Sequence, residues 1–132
     1  MNNVFIPCTL AILESNRGNA AKGIELREAT SRYERGVGFG FNPIYVRGLT
    51  YLREKKGQEA AAEFQKILSQ RALGANMPVF SLSHVGIARA YTLTGEIAKS
   101  RKFYQDVFAL WKDADADIPI LQQAKAEYEK LQ

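Results

Sequence analysis

Three glycines recur along the chain at nearly constant spacing, and each stands between two segments with helical periodicity. Gly18, Gly57 and Gly95 are 39 and 38 residues apart. The segments RGNAAKGIEL (17–26) and TGEIAKSRKF (94–103) each place a lysine four residues after the glycine and an apolar residue four further on. Such a period between helix pairs is typical of helical solenoids, in which stacked pairs bury the apolar face that one pair cannot bury alone. The spacing therefore predicts a repeated helix–turn–helix unit.

Apolar residues recur at helical rather than alternating intervals along nearly the whole chain, which predicts an all-α fold. Two segments interrupt the pattern, ERGVGFGFNP (34–43) and SQRALGANMP (69–78), and both are rich in helix-breaking residues. In the last helix, Pro119 is tolerated in the first turn and Asp117 is predicted to cap the N-terminus. We place three helix-pair units at about 4–34, 42–72 and 79–112, and a C-terminal capping helix at about 117–131.

Length and composition set the scale of the protein. With 132 residues, 46% of them hydrophobic, the chain is expected to form one domain, 1–132, with a moderate core. No apolar run approaches the roughly 20 residues of a membrane helix. The start contains Pro7 and no basic segment, so it does not resemble a signal peptide. The single cysteine, Cys8, cannot form an internal disulfide. We therefore expect a cytoplasmic protein with no membrane partner.

The formal net charge of +4 is concentrated in the middle of the chain. Nucleic-acid binding usually requires a denser basic face or stripe than this one. We therefore expect no nucleic-acid partner, and we interpret the basic residues of this region as a solvated helix surface. They are Arg47, Arg53, Lys55, Lys56, Lys66 and Arg71.

Small and aromatic residues follow a shared pattern in the predicted units. In ARAYTLTGEIAKSRKFYQDVF (88–108), Ala88, Tyr91 and Gly95 end the first helix, and Ser100 and Tyr104 lie in the second. The corresponding residues are Gly48, Tyr51, Ala60 and Phe64 in RGLTYLREKKGQEAAAEFQKIL (47–68), and Ala11, Gly18, Gly23 and Thr30 in the first unit. This pattern resembles the tetratricopeptide repeat, although the glycine of the middle unit comes two residues late. The resemblance implies a right-handed superhelix of antiparallel helix pairs.

Three longer segments carry a more specific resemblance, to one group of repeat-containing proteins. They are NNVFIPCTLAILESNRGNAAKGIEL (2–26), PIYVRGLTYLREKKGQEAAAEFQKIL (43–68) and ALWKDADADIPILQQAKAEYEKLQ (109–132). They are similar to the carboxy-terminal repeat region of large bacterial serine/threonine protein kinases and related regulators. The 132 residues contain no glycine-rich loop with a strand lysine, no His-Arg-Asp and no Asp-Phe-Gly. Kinase activity is therefore not expected, and the resemblance implies a regulatory repeat region of a kinase-like protein.

Short patterns that suggest other chemistry each lack a required part. GVGFG (36–40) follows no predicted strand, and no Gly-Lys-Ser/Thr comes after it, as a phosphate-binding loop would require. DADAD (113–117) lacks the central glycine and the terminal glutamate of a calcium loop. His84 is the only histidine, so it cannot form a histidine cluster for a metal, and it is predicted to be buried or half-buried. We expect no enzyme activity, no catalytic residue, no metal and no cofactor.

In tetratricopeptide arrays, the first helix of each pair lines a concave face that receives a peptide or a partner's helix. The resemblance therefore implies a groove lined by Cys8 and Ile12 from the first unit, by Tyr45, Leu49, Leu52 and Arg53 from the second, and by Val85, Arg89 and Thr92 from the third. Aromatic and arginine side chains dominate binding hot spots, which favours Tyr45, Arg53 and Arg89. Ile12, Leu49 and Val85 could equally pack between helices.

The expected function is a non-catalytic protein–protein interaction module. The excess of positive charge favours an acidic-apolar peptide or helix as the partner. Lys125 and Lys130 on the capping helix are expected to lie away from the groove. Two alternatives remain open. One is a self-associating module forming a homo-oligomer, since an isolated array can leave an apolar end exposed. The other is a small enzyme or ligand-binding helical domain, which would require a deep pocket with clustered ionisable groups.

Overall fold

The computed structural model describes residues 10, 11, 13, 14, 16–28, 42–74 and 78–132, and all regular structure in this part of the chain is helical. The predicted all-α class is confirmed. The described residues between 10 and 16 are helical, and further helices follow them. They are α1 (Ala20–Glu28), α2 (Asn42–Arg53), α3 (Gly57–Leu68), α4 (Arg71–Gly74), α5 (Pro78–Thr94), α6 (Ile97–Leu110) and α7 (Pro119–Glu129).

Two predictions made for connecting segments have different outcomes. The segment 69–78 contains the short helix α4, which the sequence did not indicate. The segment 34–43 lies outside the described residues except for its last two, which begin α2.

One type of turn joins consecutive helices at three places. In each turn one residue has a positive φ angle: Gly18 at 88°, Lys55 at 58° and Gly95 at 79°. The N–H of the following residue donates a hydrogen bond to the carbonyl five residues before it, which is the Schellman arrangement at the end of a helix. These bonds run from Asn19 to Glu14 (2.8 Å), from Lys56 to Tyr51 (2.9 Å) and from Glu96 to Tyr91 (2.9 Å).

The turn between α2 and α3 differs from the sequence prediction. Gly57 does not separate the two helices but is the first residue of α3, and Lys55 adopts the left-handed backbone conformation in its place. The glycine is still required at its position for a different reason. A Cβ atom on Gly57 would lie 2.8 Å from the carbonyl oxygen of Ala90 in α5. At this point α3 and α5 therefore approach too closely for any side chain.

Phe64 of α3 is the centre of the core between α2, α3 and α5. It is fully buried, together with Ala60 and Ile87. A Cβ atom added to Gly48 of α2 would lie 2.7 Å from the Phe64 ring, and one added to Gly86 of α5 would lie 2.6 Å from it. Because these two glycines lack a Cβ atom, the backbones of α2 and α5 can pack directly against the Phe64 ring. The core is therefore closely packed at this point.

A second buried cluster joins α5, α6 and α7. Tyr104 of α6 is 1% exposed and packs with Val85 and Ala88 of α5, Val107 of α6 and Ala124 of α7. Leu121, also on α7, is 3% exposed. The C-terminal helix therefore buries apolar side chains against the preceding helices.

The middle of the chain is not a uniformly solvated basic surface. Arg47 of α2 is 3% exposed, and its Nη2 donates to Oε2 of Glu63 in α3 at 2.6 Å. The prediction of a solvated side chain is therefore wrong for Arg47. Lys66, one turn after Glu63, is 49% exposed and donates to the second oxygen of that carboxylate at 2.8 Å. A carboxylate with two cationic partners offsets much of the cost of burying charge between α2 and α3.

The start of α7 also corrects a prediction. Asp117 does not cap this helix, because Ile118 occupies the cap position in an extended conformation and no side chain accepts a capping hydrogen bond there. Pro119 occupies the first turn, as predicted. Proline suits this position because its missing N–H has no partner in the first turn of a helix.

Candidate functional site

The predicted groove residues of α2 do not share one environment. Tyr45, Leu49 and Leu52 are half-buried and pack against the cluster around Phe64. The Tyr45 ring meets the Phe64 ring edge-on, with 5.7 Å between the ring centroids. Arg53 is exposed and lies at a different surface depression, lined by Gly18, Asn19, Ala21, Lys22 and Glu54. Cys8 and Ile12, the groove residues predicted for the first unit, lie outside the described residues.

The predicted groove residues of α5 differ in exposure. Val85 is 2% exposed and belongs to the buried cluster with Tyr104, so a ligand could touch little of it. Thr92 is exposed, and its hydroxyl donates to the carbonyl of Ala88 at 3.1 Å, one turn earlier. The Arg89 side chain is 28% exposed. Arg89 and Thr92 therefore remain accessible on this helix.

A cleft of about 340 Å³ brings three of the predicted residues together. Its walls are mostly apolar, and they come from α2, α5, α6 and the C-terminal end of the chain. The cleft is lined by Leu52, Arg89, Thr92, Leu93, Tyr104, Glu127, Lys130 and Leu131. The expectation that Lys130 lies away from the groove residues is therefore wrong. Lys125 is exposed and is absent from the lining of this cleft.

Arg89, Glu127 and Tyr104 form a hydrogen-bonded network in the cleft. Arg89 holds the Glu127 carboxylate in a bidentate arrangement, with Nε to Oε2 and Nη2 to Oε1 both at 2.9 Å. The hydroxyl of Tyr104 donates to the same Oε2 at 2.6 Å. Bonds of this kind are stronger than neutral ones, and the paired geometry fixes the orientation of the guanidinium. The network therefore ties α5 and α6 to α7.

The network shifts the titration of its members. Burial works to raise the pKa of Glu127, but the hydrogen bonds from Arg89 and Tyr104 outweigh it and hold the pKa below its ordinary value. The pKa of Tyr104 is raised well above its ordinary value, first by burial and then by the neighbouring carboxylate. Glu127 is therefore ionised and Tyr104 protonated at neutral pH. This arrangement suits binding and orientation, since the carboxylate is already occupied by donors and is a poor base.

Tyr45 extends this environment along α2. Burial raises the pKa of its hydroxyl, and the positive charge of Arg89 acts in the opposite direction. The charge of Arg89, on α5, therefore influences the ionisation of Tyr45, on α2. Leu52 and Thr92 thus lie in one cleft with Arg89, whereas Arg53 lies apart from it.

Sequence analysis did not identify Tyr104, Glu127 or Leu131 as site residues. The Tyr104 ring is buried in the core, and its hydroxyl also reaches the cleft network. A signal for Glu127 was present, because it follows Arg89 by 38 residues, the same separation as Gly57 and Gly95. Residues one repeat apart occupy neighbouring positions in stacked units.

A second depression lies between α4, α5 and α6. It is lined by Arg71, Phe80, His84, Asp106, Ala109 and Leu110. His84 is half-buried, as predicted, with its Nδ1 3.0 Å from the carbonyl oxygen of Phe80 and its ring against Phe80 and Phe103. Packing accounts for this histidine, so the cleft around Arg89 is the better candidate.

Comparison of the chain with family models, with curated proteins and with solved structures finds no match. The described part of the chain contains no group of three or more side chains suited to hold a metal ion. Among its helices, none is both long enough and apolar enough to cross a membrane.

Proposed function

We propose that the chain forms a tetratricopeptide-like right-handed superhelix of three antiparallel helix pairs with α7 as a cap. The recurring turn at Gly18, Lys55 and Gly95 supports this arrangement. So does the burial of the small residues at matching positions, which lets stacked pairs approach closely. These residues are Ala11, Gly48 and Ala88 in the first helices and Gly23, Ala60 and Ser100 in the second.

Such a scaffold serves as a non-catalytic protein–protein interaction module that binds an acidic-apolar peptide or helix. The observation that carries this proposal is the cleft in which Leu52 from one helix pair lies beside Arg89 and Thr92 from the next. A ligand there touches two units at once, as a groove along stacked repeats requires. By the resemblance of its longer segments, the module acts as a regulatory region of a kinase-like protein in the cytoplasm.

The charge of the cleft supports an acidic rather than a basic partner. Arg89 and Lys130 contribute two positive charges, and Glu127 contributes one negative charge that Arg89 already holds. Apolar walls supply burial while the cations at the rim orient the ligand and speed its association. Binding is therefore expected to weaken as the salt concentration rises.

The test selects ligands for the full chain from a random peptide display library and measures their affinity by calorimetry. Leu93→Ala and Lys130→Ala alter side chains that line the cleft and are exposed, so folding is spared. Each is expected to cost about 1–2 kcal/mol of binding free energy, the scale of an ordinary hot spot. Leu110→Ala and Lys125→Ala are the matched controls, because both are exposed and lie outside the cleft. Peptides that lose affinity only with the control variants would place the site elsewhere.

Two observations each favour a different function. The exposed Leu10 and Leu13, 43% and 44% exposed, favour a self-associating module, and sedimentation of the full chain tests for a homo-oligomer. The size of the cleft, about 340 Å³, lies within the range of small-molecule pockets and favours a ligand-binding helical domain.

A further inference from the structure

The cleft has the form of a pocket for one small apolar group. Leu52, Leu93 and Leu131 approach it from α2, α5 and the C-terminal end of the chain. Its volume of about 340 Å³ is near the lower end for ligand pockets, so it suits a short aliphatic chain or a single side chain. Apolar walls of this kind stabilise a bound group in proportion to the methylenes that it removes from water.

The polar end of the cleft selects the charge of the group. Glu127 already accepts from Arg89 through both carboxylate oxygens and from Tyr104 through one of them. A cationic ligand would have to displace those donors. Arg89 uses Nε and Nη2 for this carboxylate, while its Nη1 takes no part in the bidentate pair. Lys130 adds an exposed ammonium group at the same cleft.

We infer that the cleft is a binding subsite for a carboxylate attached to a short aliphatic group, with the chain between the three leucines and the carboxylate beside Arg89 and Lys130. The inference rests on the proposed function only in treating the cleft as part of the partner groove. The same chemistry has two sources: an acidic residue next to an aliphatic one in a peptide, or a free alkyl carboxylate. Both place one negative charge at the end of an apolar body.

The experiment titrates the full chain with octanoate and follows the backbone amide signals by NMR. Signals of residues 52, 89–93 and 130–131 are expected to shift. Hexanoate and butanoate are expected to bind more weakly than octanoate, by about fourfold for each methylene removed. Octanol and octylammonium, which share the octyl chain, are expected to bind several-fold more weakly than octanoate. Acetyl-Leu-Asp-amide forms the peptide arm, and the tighter of the two carboxylates identifies the source.

Two matched lysine variants test whether the carboxylate of the ligand lies beside Lys130. Lys130→Gln removes an exposed charge from the cleft and is expected to weaken octanoate binding several-fold at low salt while leaving octanol unchanged. Lys125→Gln removes an exposed charge from α7, outside the cleft, and is expected to change neither. Leu93→Ala is expected to weaken all octyl compounds alike, because it shortens the apolar wall.

Three results would overturn the inference: unchanged signals at the cleft residues, equal binding of octylammonium and octanoate, or equal octanoate binding by the two lysine variants. None of them would disprove peptide binding by the wider groove. Conversely, octanoate in the cleft with no peptide ligand from any selection would remove the proposed function and leave the subsite standing.

Discussion

Two arginine–glutamate pairs that join separate helices have the same chemistry in different surroundings. Arg47 and Glu63 join α2 to α3 at 2.6 Å, with side chains 3% and 10% exposed. Arg89 and Glu127 join α5 to α7 at 2.9 Å, with side chains 28% and 34% exposed. The first pair lies inside a helix pair, whereas the second lines a cleft.

The difference favours a structural role for the first pair and is consistent with the binding role proposed for the second. A buried ion pair has lost its water, so removing one partner leaves the other charge buried without the contact that offset its desolvation. A half-exposed pair is partly solvated and screened, and each of its groups can exchange partners at modest cost. The Arg47–Glu63 pair is therefore suited to fix the packing of α2 on α3. The Arg89–Glu127 pair is accessible enough to contact a ligand.

The largest effect is expected from Glu63→Ala, which removes the carboxylate 2.6 Å from the buried Arg47. Breaking a buried pair in this way costs about 3–5 kcal/mol of unfolding free energy. Urea denaturation followed by circular dichroism measures it. The control is Lys66→Ala, which removes the half-exposed partner of the same carboxylate and should cost less than about 1 kcal/mol. Equal losses of unfolding free energy in the two variants would show that the buried Arg47 contact contributes no more than the half-exposed Lys66 contact.

A smaller effect is expected from Gly57→Ala at the start of α3. Alanine normally stabilises a helix relative to glycine by about 1 kcal/mol. Here its Cβ would lie 2.8 Å from the Ala90 carbonyl oxygen, so the clash reverses the sign and costs about 1–3 kcal/mol. Thermal melts measure the change.

The control is Ile97→Ala at the corresponding first position of α6, where the side chain is 38% exposed. Its melting temperature should change less, because the substitution shortens an exposed side chain and adds no atom against a neighbouring helix. A stabilised Gly57→Ala protein would show that α3 and α5 can separate without cost.

The smallest effect is expected from Glu127→Gln, at about 1 kcal/mol, since its hydrogen bonds to charged partners are weakened by partial exposure. The loss should depend on pH. The folded protein holds the pKa of Glu127 below its ordinary value of 4.5, so the unfolded chain binds more protons in that range. The stabilisation is complete above pH 4.5 and disappears as the pH falls through the depressed pKa.

Denaturation curves from pH 7 to pH 3 distinguish the two proteins. The difference in unfolding free energy between the wild type and Glu127→Gln should shrink as the pH falls. Glu129→Gln, an exposed change two residues away, serves as the control and should follow the wild type throughout. A constant difference between the wild type and Glu127→Gln would exclude the ion pair as its cause.

The helical fold was predictable because its signals are local. Apolar periodicity identifies helices, and small residues at matching positions, such as Ala60 and Ala88, are fully buried in the structure. The burial of Arg47 was not predictable in this way, because composition gives the charge of a residue but not which carboxylate reaches it. Lys55 was missed as the turn residue because glycine is the usual signal for a left-handed turn, and the nearby Gly57 supplied that signal.

The candidate site was predictable only in part. Leu52, Arg89 and Thr92 meet in one cleft because α2 and α5, on which they lie, are in contact. Arg53 lies at another depression, since one residue of helical rotation turns its side chain by about 100° from Leu52. Lys130 joins the cleft through the long-range packing of the C-terminal helix, and no local pattern encodes such a contact.

The clamping of Phe64 between two glycine backbones has a consequence for motion. An aromatic ring in such a site can flip only when its neighbours move aside, so flips must be far slower than the picosecond-to-nanosecond rotations of exposed side chains. Gly48 and Gly86 belong to α2 and α5, which both contribute residues to the cleft. The flip rate of the Phe64 ring therefore reports how often α2 and α5 separate. Tyr45 packs edge-on against this ring, so each separation would also change the surroundings of Tyr45.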